Sequence, residues 1–327
     1  MPDRAAPIID LTEFETGSHD ARTRIAAKVD EICRQTGFIT LVGHGVDELT
    51  MRTMWSTMHE FFDLPAEQKL ESGVLRAGYP YGYMGVTAET LAKSRGEATP
   101  PDLKETFNAG PLERDPALTD HAALDFCHAP TPWPRQPSGF RTAWSAYYCE
   151  MERLSARIMA MFAVALDLPS DYFEPFLTHP ISAMRALNYP PQDSRPVTDQ
   201  LRAGAHSDYG SLTVLWPQHD SRGLEILGLD DKWHEVVPHD GAFIINIGDL
   251  VQRWTNDRWR STMHRVNNPR HLHDAGTRRQ SIAYFHQPNW DALIECLPTC
   301  VGDGPRYAPV ASGPYLMSKF SATVASS

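Results

Sequence analysis

A chain of 327 residues, 42% of them hydrophobic, has room for one large domain or two smaller ones and enough apolar material for a sizeable core. Its formal net charge of −11 and pI near 5.7 speak against nucleic acid and anionic membrane as partners, since both reward a basic face. The five cysteines are odd in number and scattered, which suits reduced thiols in the cytoplasm, and the sequence shows neither a leader-like start nor an apolar run long enough to span a bilayer.

Pro7-Ile8-Ile9-Asp10-Leu11 reads as a first short strand and Asp20 to Cys33 as an amphipathic helix. Gly37-Phe38-Ile39-Thr40-Leu41-Val42 is a β-rich run closed by Gly43-His44-Gly45. A second helix, about Glu48 to Phe62, carries Met51, Met54, Trp55, Met58, Phe61 and Phe62 at helical spacing, a stripe that belongs in a core. From Gly73 to Pro111 the pattern loosens into glycines, tyrosines and turn residues, with Lys104-Glu105-Thr106-Phe107 the one strand-like island. Tyr79, Tyr81 and Tyr83 alternate there and either line a pocket or anchor a surface loop. Leu112 to Pro137, rich in Pro, Asp and His, reads as a connecting loop. Ser138 to Leu168 is the clearest helix, with Phe140, Trp144, Tyr147, Met151, Leu154, Ile158, Met161 and Phe162 on one broad buried face, and a short helix runs from Pro169 through Phe176.

From Ile181 the character changes to short β-rich runs: Ala183–Tyr189, Ser211–Leu215, Leu224–Leu227, Trp233–Val237, Phe243–Ile247, Thr262–Val266 and Ser281–Phe285. Their spacing is that of an all-β barrel or double sheet. No Pro/Ser/Gly-rich linker separates the helix-rich and β-rich parts, so one compact unit is expected.

His206 and Asp208 stand two residues apart, so on an extended strand both side chains leave from one face. They need a third ligand to grip a metal, and His264, in the strand-like Ser261–Val266, is placed to supply it. Two histidines and one aspartate on the walls of a small barrel form a facial triad, which leaves half of an octahedral iron's positions open for O2 and an organic chelator. Arg279 and Ser281, at i and i+2 on the next strand, present a guanidinium fork and a hydroxyl on one face, suited to a remote carboxylate. Arg278 points the other way. Two further clusters carry less: His271-Leu272-His273-Asp274 reads as a solvated turn, and Cys296 with Cys300 lacks the second pair a structural zinc needs.

The order His206-x-Asp208, His264, Arg279-x-Ser281, preceded by Asn188-Tyr189-Pro190, resembles the isopenicillin N synthase-like branch of the iron(II)/2-oxoglutarate-dependent oxygenases. Pro7 to Leu11, the Gly37-Phe38-Ile39 to His44-Gly45-Val46 run and Asn246-Ile247-Gly248-Asp249 are similar to that family too, so the likeness covers nearly the whole chain. The resemblance implies iron ligands at His206, Asp208 and His264. Arg279 and Ser281 would hold the distal carboxylate of 2-oxoglutarate, helped by Tyr189 from an opposing strand. It implies a mainly β fold with flanking helices, a distorted double-stranded β-helix or jelly roll. Residues 1–110 would then be a helix-rich region packed on the barrel, 111–180 a connecting loop and scaffold helix, 181–312 the catalytic core and 313–327 a C-terminal tail. One departure is the long interval from His264 to Arg279, which a lengthened hairpin loop absorbs.

The activity implied is oxidation, by default hydroxylation, of a small organic molecule, with 2-oxoglutarate and O2 consumed and succinate and CO2 released. The alternatives are an isopenicillin N synthase-type oxidase that needs no 2-oxoglutarate and a jelly-roll binding protein without chemistry. Arg185, four residues before Tyr189 on the same strand, faces the same side and offers a cation for a carboxylate or carbonyl-rich heterocycle, or else a salt bridge at the barrel mouth. Tyr209 and Phe285 could supply flat walls. Several of these residues, with Lys104 to Phe107, also resemble the part of the family that includes fungal thymine hydroxylase, which makes pyrimidine-like substrates one option.

Overall fold

The computed structural model describes residues 5–96, 99–192, 194–269 and 277–324. The chain opens with β1 (Ile8–Asp10), α1 (Leu11–Thr16), α2 (His19–Gln35), β2 (Phe38–Val42), α3 (Glu48–Asp63) and α4 (Ala66–Leu70). β3 (Gly82–Met84), β4 (Glu105–Ala109), α5 (His121–Phe126) and the long α6 (Phe140–Ala165) follow. The β-rich part holds β5 (Ala183–Tyr189), β6 (Ala203–His206), β7 (Leu212–Pro217), β8 (Leu224–Leu227), β9 (Trp233–Glu235) and β10 (Phe243–Ile247). It continues with α7 (Asp249–Trp254), β11 (His264–Val266), β12 (Arg279–His286), β13 (Leu293–Ile294) and β14 (Val310–Ala311), and α8 (Ser312–Val324) ends the described chain. The first helices start where side chains accept their free N–H groups: Asp10 from Thr12, Ser18 from Ala21, Asp47 from Thr50.

The strands form an eight-stranded sheet, in the order β1-β2-β10-β7-β12-β5-β4-β3, and a four-stranded sheet, β6-β11-β8-β9. Between them lies an apolar interior made of Phe38, Leu187, Ile244 and Ala283 from the larger sheet and Ala203, Leu224, Ile226 and Val266 from the smaller. The alternate residues of the larger sheet, among them Ile39, Leu41, Phe243, Ile245, Ile282 and Tyr284, face outward into a second core shared with α2, α3 and α6. Both faces of that sheet are buried, so its strands read as continuous apolar runs rather than alternating ones. This is the expected jelly roll with flanking helices.

Most expected elements stand within two or three residues of their reading, and the differences have local causes. Ala203–His206 is a strand although Ala-Gly-Ala carries no β-branched residue; its pairing with β11 makes it one. Gly73 to Pro111 contains the short β3 and a 3-10 turn at Leu91–Arg95, and the Leu112 to Pro137 loop contains α5. Much of the expected tail is helix α8, which packs against that 3-10 turn. Gly37, at φ +64°, is required: a Cβ there would sit 2.2 Å from the carbonyl oxygen of Arg260. The His271-Leu272-His273-Asp274 cluster lies outside the described residues.

Candidate active site

β6 ends at His206, Asp208 lies in the turn that follows, and His264 opens β11 directly opposite His206 in the antiparallel register. The expectation that His206 and Asp208 share a strand is therefore corrected. The chain leaves the sheet after His206, the Asp208 carbonyl accepts Asp249 N at 2.8 Å, and its carboxylate is turned back toward the histidines. Asp208 Oδ1 stands 3.8 Å from Nε2 of His206 and of His264, and the three ligand atoms lie within 4.8 Å of one another.

Each of these side chains has its other polar atom committed. His206 Nδ1 is 2.8 Å from Gly204 O and His264 Nδ1 is 3.2 Å from Thr262 O, which assigns the ring protons to Nδ1 and leaves both Nε2 lone pairs free. Asp208 Oδ2 accepts from Thr213 Oγ1 at 2.5 Å and Asn246 Nδ2 at 2.7 Å. Burial, and after it the proximity of His264, lower the His206 pKa to about 3 against the opposing pull of Asp208 and the Gly204 hydrogen bond. Burial alone would raise the Asp208 pKa, but His264, His206, Asn246 and Thr213 outweigh it and hold the carboxyl ionised. Two imidazoles that present Nε2 and an ionised carboxylate are the donors a divalent metal binds.

β12 and β5 form a two-stranded ladder along a wall of the cavity that the triad also lines. Arg279, Ser281, Ala283 and Phe285 alternate along β12 and are paired with Tyr189, Leu187, Arg185 and Ala183 on β5, all lining one cavity of about 920 Å3. At about 3.4 Å per residue the ladder is about 20 Å long. Tyr189 thus stands directly opposite Arg279 on the antiparallel neighbour strand. At this end Arg279 is 3% exposed, its Nη1 is 3.3 Å from Ser281 Oγ, its guanidinium carbon is 5.0 Å from the Tyr189 ring centre, and its Nε has no partner. Among the described residues no carboxylate pairs with it. Arg278 takes the opposite face, with Nε on Asn188 Oδ1 at 2.7 Å and an ion pair to Asp63.

The other end is differently built. Arg185 donates to Asn108 Oδ1 at 2.6 Å and to both oxygens of Glu89 at 3.2 Å, so the salt bridge among the two expectations is the one present. Its guanidinium carbon is also 5.9 Å from the Phe285 ring centre. Tyr209, Tyr79 and Tyr81 line the cavity, but the hydroxyls of Tyr79 and Tyr81 are spent on the carbonyls of Pro130 and Cys127. Leu316 and Phe320 of α8 close the wall, with Phe320 packed edge-on against Phe126. A larger, open groove of about 1250 Å3 between α2 and the β8–β9 hairpin has no comparable ligand set.

Residues 6–136 match the non-haem dioxygenase N-terminal family, described as that of morphine synthesis, and residues 180–288 match the 2OG-Fe(II) oxygenase superfamily. The chain belongs to the 2-oxoglutarate/iron(II) oxygenase superfamily. It is 31% identical over 319 residues to a 2-oxoglutarate-Fe(II) type oxidoreductase of Emericella nidulans, covering 95% of this chain and 88% of the relative. It is also 31% identical to validamycin A dioxygenase of Streptomyces hygroscopicus subsp. limoneus, covering 96% and 86%. Among solved structures it superposes on a full-length Neurospora crassa protein in complex with alpha-KG (2-oxoglutarate) and thymine with a TM-score of 0.84, at 29% identity and 97% coverage of both chains.

For a 2-oxoglutarate/iron(II) oxygenase the donor set fits: two imidazole nitrogens and one carboxylate oxygen, each oriented by a second hydrogen bond, beside a buried guanidinium awaiting an anion. Sequence reasoning missed Thr213, Asn246 and Glu89 as parts of this site. Thr213 and Asn246 had a signal, since each is a polar residue inside an apolar strand whose two faces are buried. Glu89 had none, because the segment around it has no period.

Proposed function

We propose that His206, Asp208 and His264 hold iron(II), that Arg279, Ser281 and Tyr189 hold the distal carboxylate of 2-oxoglutarate, and that the enzyme hydroxylates a C–H bond of a small organic molecule. The observation that carries this reading is one cavity faced by both a two-histidine, one-aspartate donor set and a buried guanidinium with no carboxylate of its own. When bound, iron(II) and 2-oxoglutarate would together activate O2, the oxidant, with 2-oxoglutarate giving up two electrons and leaving as succinate and CO2.

The chain's own residues do the rest. Thr213 and Asn246 hold Asp208 Oδ2, which keeps Oδ1 aimed inward. The carbonyls of Gly204 and Thr262 keep a proton on Nδ1, so both rings present Nε2 to the metal. Phe38 packs edge-on against the His264 ring at 5.5 Å between centres and limits its rotation. Arg279 answers a carboxylate charge in a place water does not reach, where the fork is worth more than at a surface.

Arg185, Phe285 and Tyr209 are our substrate-contacting walls, with Tyr79 and Tyr81 shaping the far side. Flat, carbonyl-bearing heterocycles are the substrates to test first: the Neurospora crassa structure to which this chain is similar holds thymine, and here a guanidinium lies over the Phe285 ring in the cavity. Five free cysteines favour the cytoplasm, and no helix among the described residues is long and apolar enough to cross a membrane.

The test is anaerobic titration of metal-free protein with iron(II) and 2-oxoglutarate, following the weak visible charge-transfer band of the chelate, then admission of O2 and assay of succinate. A band and succinate are expected. Neither appearing would overturn the reading, and substrate oxidised with neither band nor succinate would favour an oxidase that draws all four electrons from its own substrate.

A further inference from the structure

Behind the substrate wall runs a buried chain of charges that the chemistry above does not use. Asp102, 1% exposed, accepts Gly204 N at 3.0 Å on Oδ1, and Lys104 Nζ at 2.6 Å and Leu91 N at 3.2 Å on Oδ2. Lys104, 2% exposed, also reaches Glu89 Oε2 at 3.4 Å, and Glu89 is the carboxylate that grips Arg185 in the cavity. On the far side of the same residue, the Gly204 carbonyl takes His206 Nδ1 at 2.8 Å. Side chains thus run without a break from the cavity wall, through Glu89, Lys104 and Asp102, to the backbone that orients one candidate iron ligand.

Two features make this more than a staple for a loop. The segment carrying Glu89 and Leu91 is seated so closely on β6 that a Cβ at Gly204 would stand 3.2 Å from Ala92 Cβ and N and 3.3 Å from Asp102 Oδ1. A movement of the wall is therefore felt at Gly204. The charges along the chain are also arranged to stay ionised. Burial would lower the Lys104 pKa, but Asp102 and Glu89 outweigh it and raise it; burial would raise the Glu89 pKa, but Arg185 and Lys104 outweigh it and lower it. Neutralising one member leaves its neighbour buried and unpaired, which costs far more than the pair gains.

We infer that Asp102 and Lys104 are positioning residues of the iron site: they tie the wall that meets substrate to the backbone that aims His206, so that the seat of the wall sets the presentation of His206 Nε2. The inference rests on His206 being an iron ligand, as proposed above. The Glu89–Arg185 pair is the end of the chain on which a bound substrate presses.

Two variants test it from opposite directions. Asp102→Asn keeps the volume but turns an amide NH2 toward donors it cannot satisfy, Lys104 Nζ or Gly204 N. Gly204→Ala removes no charge and instead presses a methyl group against Ala92 and Asp102, which must give by a few tenths of an ångström. Both should weaken iron(II) binding in the presence of 2-oxoglutarate by about tenfold, in the range seen when an outer partner of a metal ligand is lost, and both should shift the charge-transfer band of the chelate. A purely structural role predicts a lower melting temperature of the metal-free protein with unchanged iron affinity and an unmoved band, and that result overturns the inference. If Asp102→Asn does not fold, Gly204→Ala decides alone. Wild-type protein without the band would sink the functional reading itself; wild-type band with variants indistinguishable from it would sink only this one.

Discussion

At one end of the cavity Arg279 is buried with a hydroxyl and an aromatic face beside it and, among the described residues, no paired carboxylate, while farther along the same strand pair Arg185 is gripped by both oxygens of Glu89. Burial pushes the Arg279 pKa down, with Tyr189 opposing, and no carboxylate of the described chain relieves it. At the Arg185 end two cations and two carboxylates, Arg185, Lys104, Glu89 and Asp102, answer one another. A buried cation without a partner is costly, so the first end is built to be completed by a ligand; the second is complete already and can accept ligands of different kinds on its surface. On the proposed assignment, the same pair of strands would serve the cosubstrate at one end and the substrate at the other.

The largest effect should come from the centre that both ends share. Asp208→Ala should weaken iron(II) binding by more than about 100-fold, beyond what the loss of an outer partner costs, and abolish succinate formation; metal titration and succinate assay check it. Arg279→Met should then separate the ends, raising the 2-oxoglutarate dissociation constant by about 100-fold through loss of charge-assisted hydrogen bonds, with iron(II) affinity within about twofold of wild type. Arg185→Gln should do the converse: 2-oxoglutarate affinity read from the charge-transfer band stays within about twofold, while kcat/KM for an accepted substrate falls by about tenfold. An Arg185 variant that loses 2-oxoglutarate binding would erase the distinction between the ends.

The smallest effect lies outside the cavity, on α6. Burial, then the neighbouring Glu113, raises the Glu152 pKa from 4.5 to about 7. Between those values the folded protein holds a proton that the unfolded chain has released, so stability falls as pH rises through this window. Glu152→Gln should raise the melting temperature at pH 8 and leave it unchanged at pH 4.5, as calorimetry at the two pH values would show.

Periodicity made the helices legible: the spacing of Met51, Met54, Met58 and Phe61 placed α3, and the long apolar face from Phe140 to Phe162 placed α6. The strands with continuous apolar runs were equally visible. β6 and α8 were not, because Ala203-Gly204-Ala205 and Ser312-Gly313-Pro314 carry little local preference and are ordered by what they pack against. At the site, Arg279 and Ser281 could be paired from sequence since i and i+2 on a strand share a face whatever surrounds them.

What the sequence determined by itself is the set of groups available for chemistry: two histidines, an aspartate and an Arg-x-Ser pair in an order that resembles one oxygenase family, on strands whose alternation says which side chains travel together. The tertiary structure alone decided which charges are answered and which are not. That Arg185 is neutralised by Glu89, that Asp208 is held by Asn246, and that Asp102 reaches the backbone orienting His206 all depend on segments distant in the chain meeting within hydrogen-bond distance. Local spacing carries no record of such meetings, because they are selected by the packing of two sheets and a wall rather than by the preferences of any one stretch.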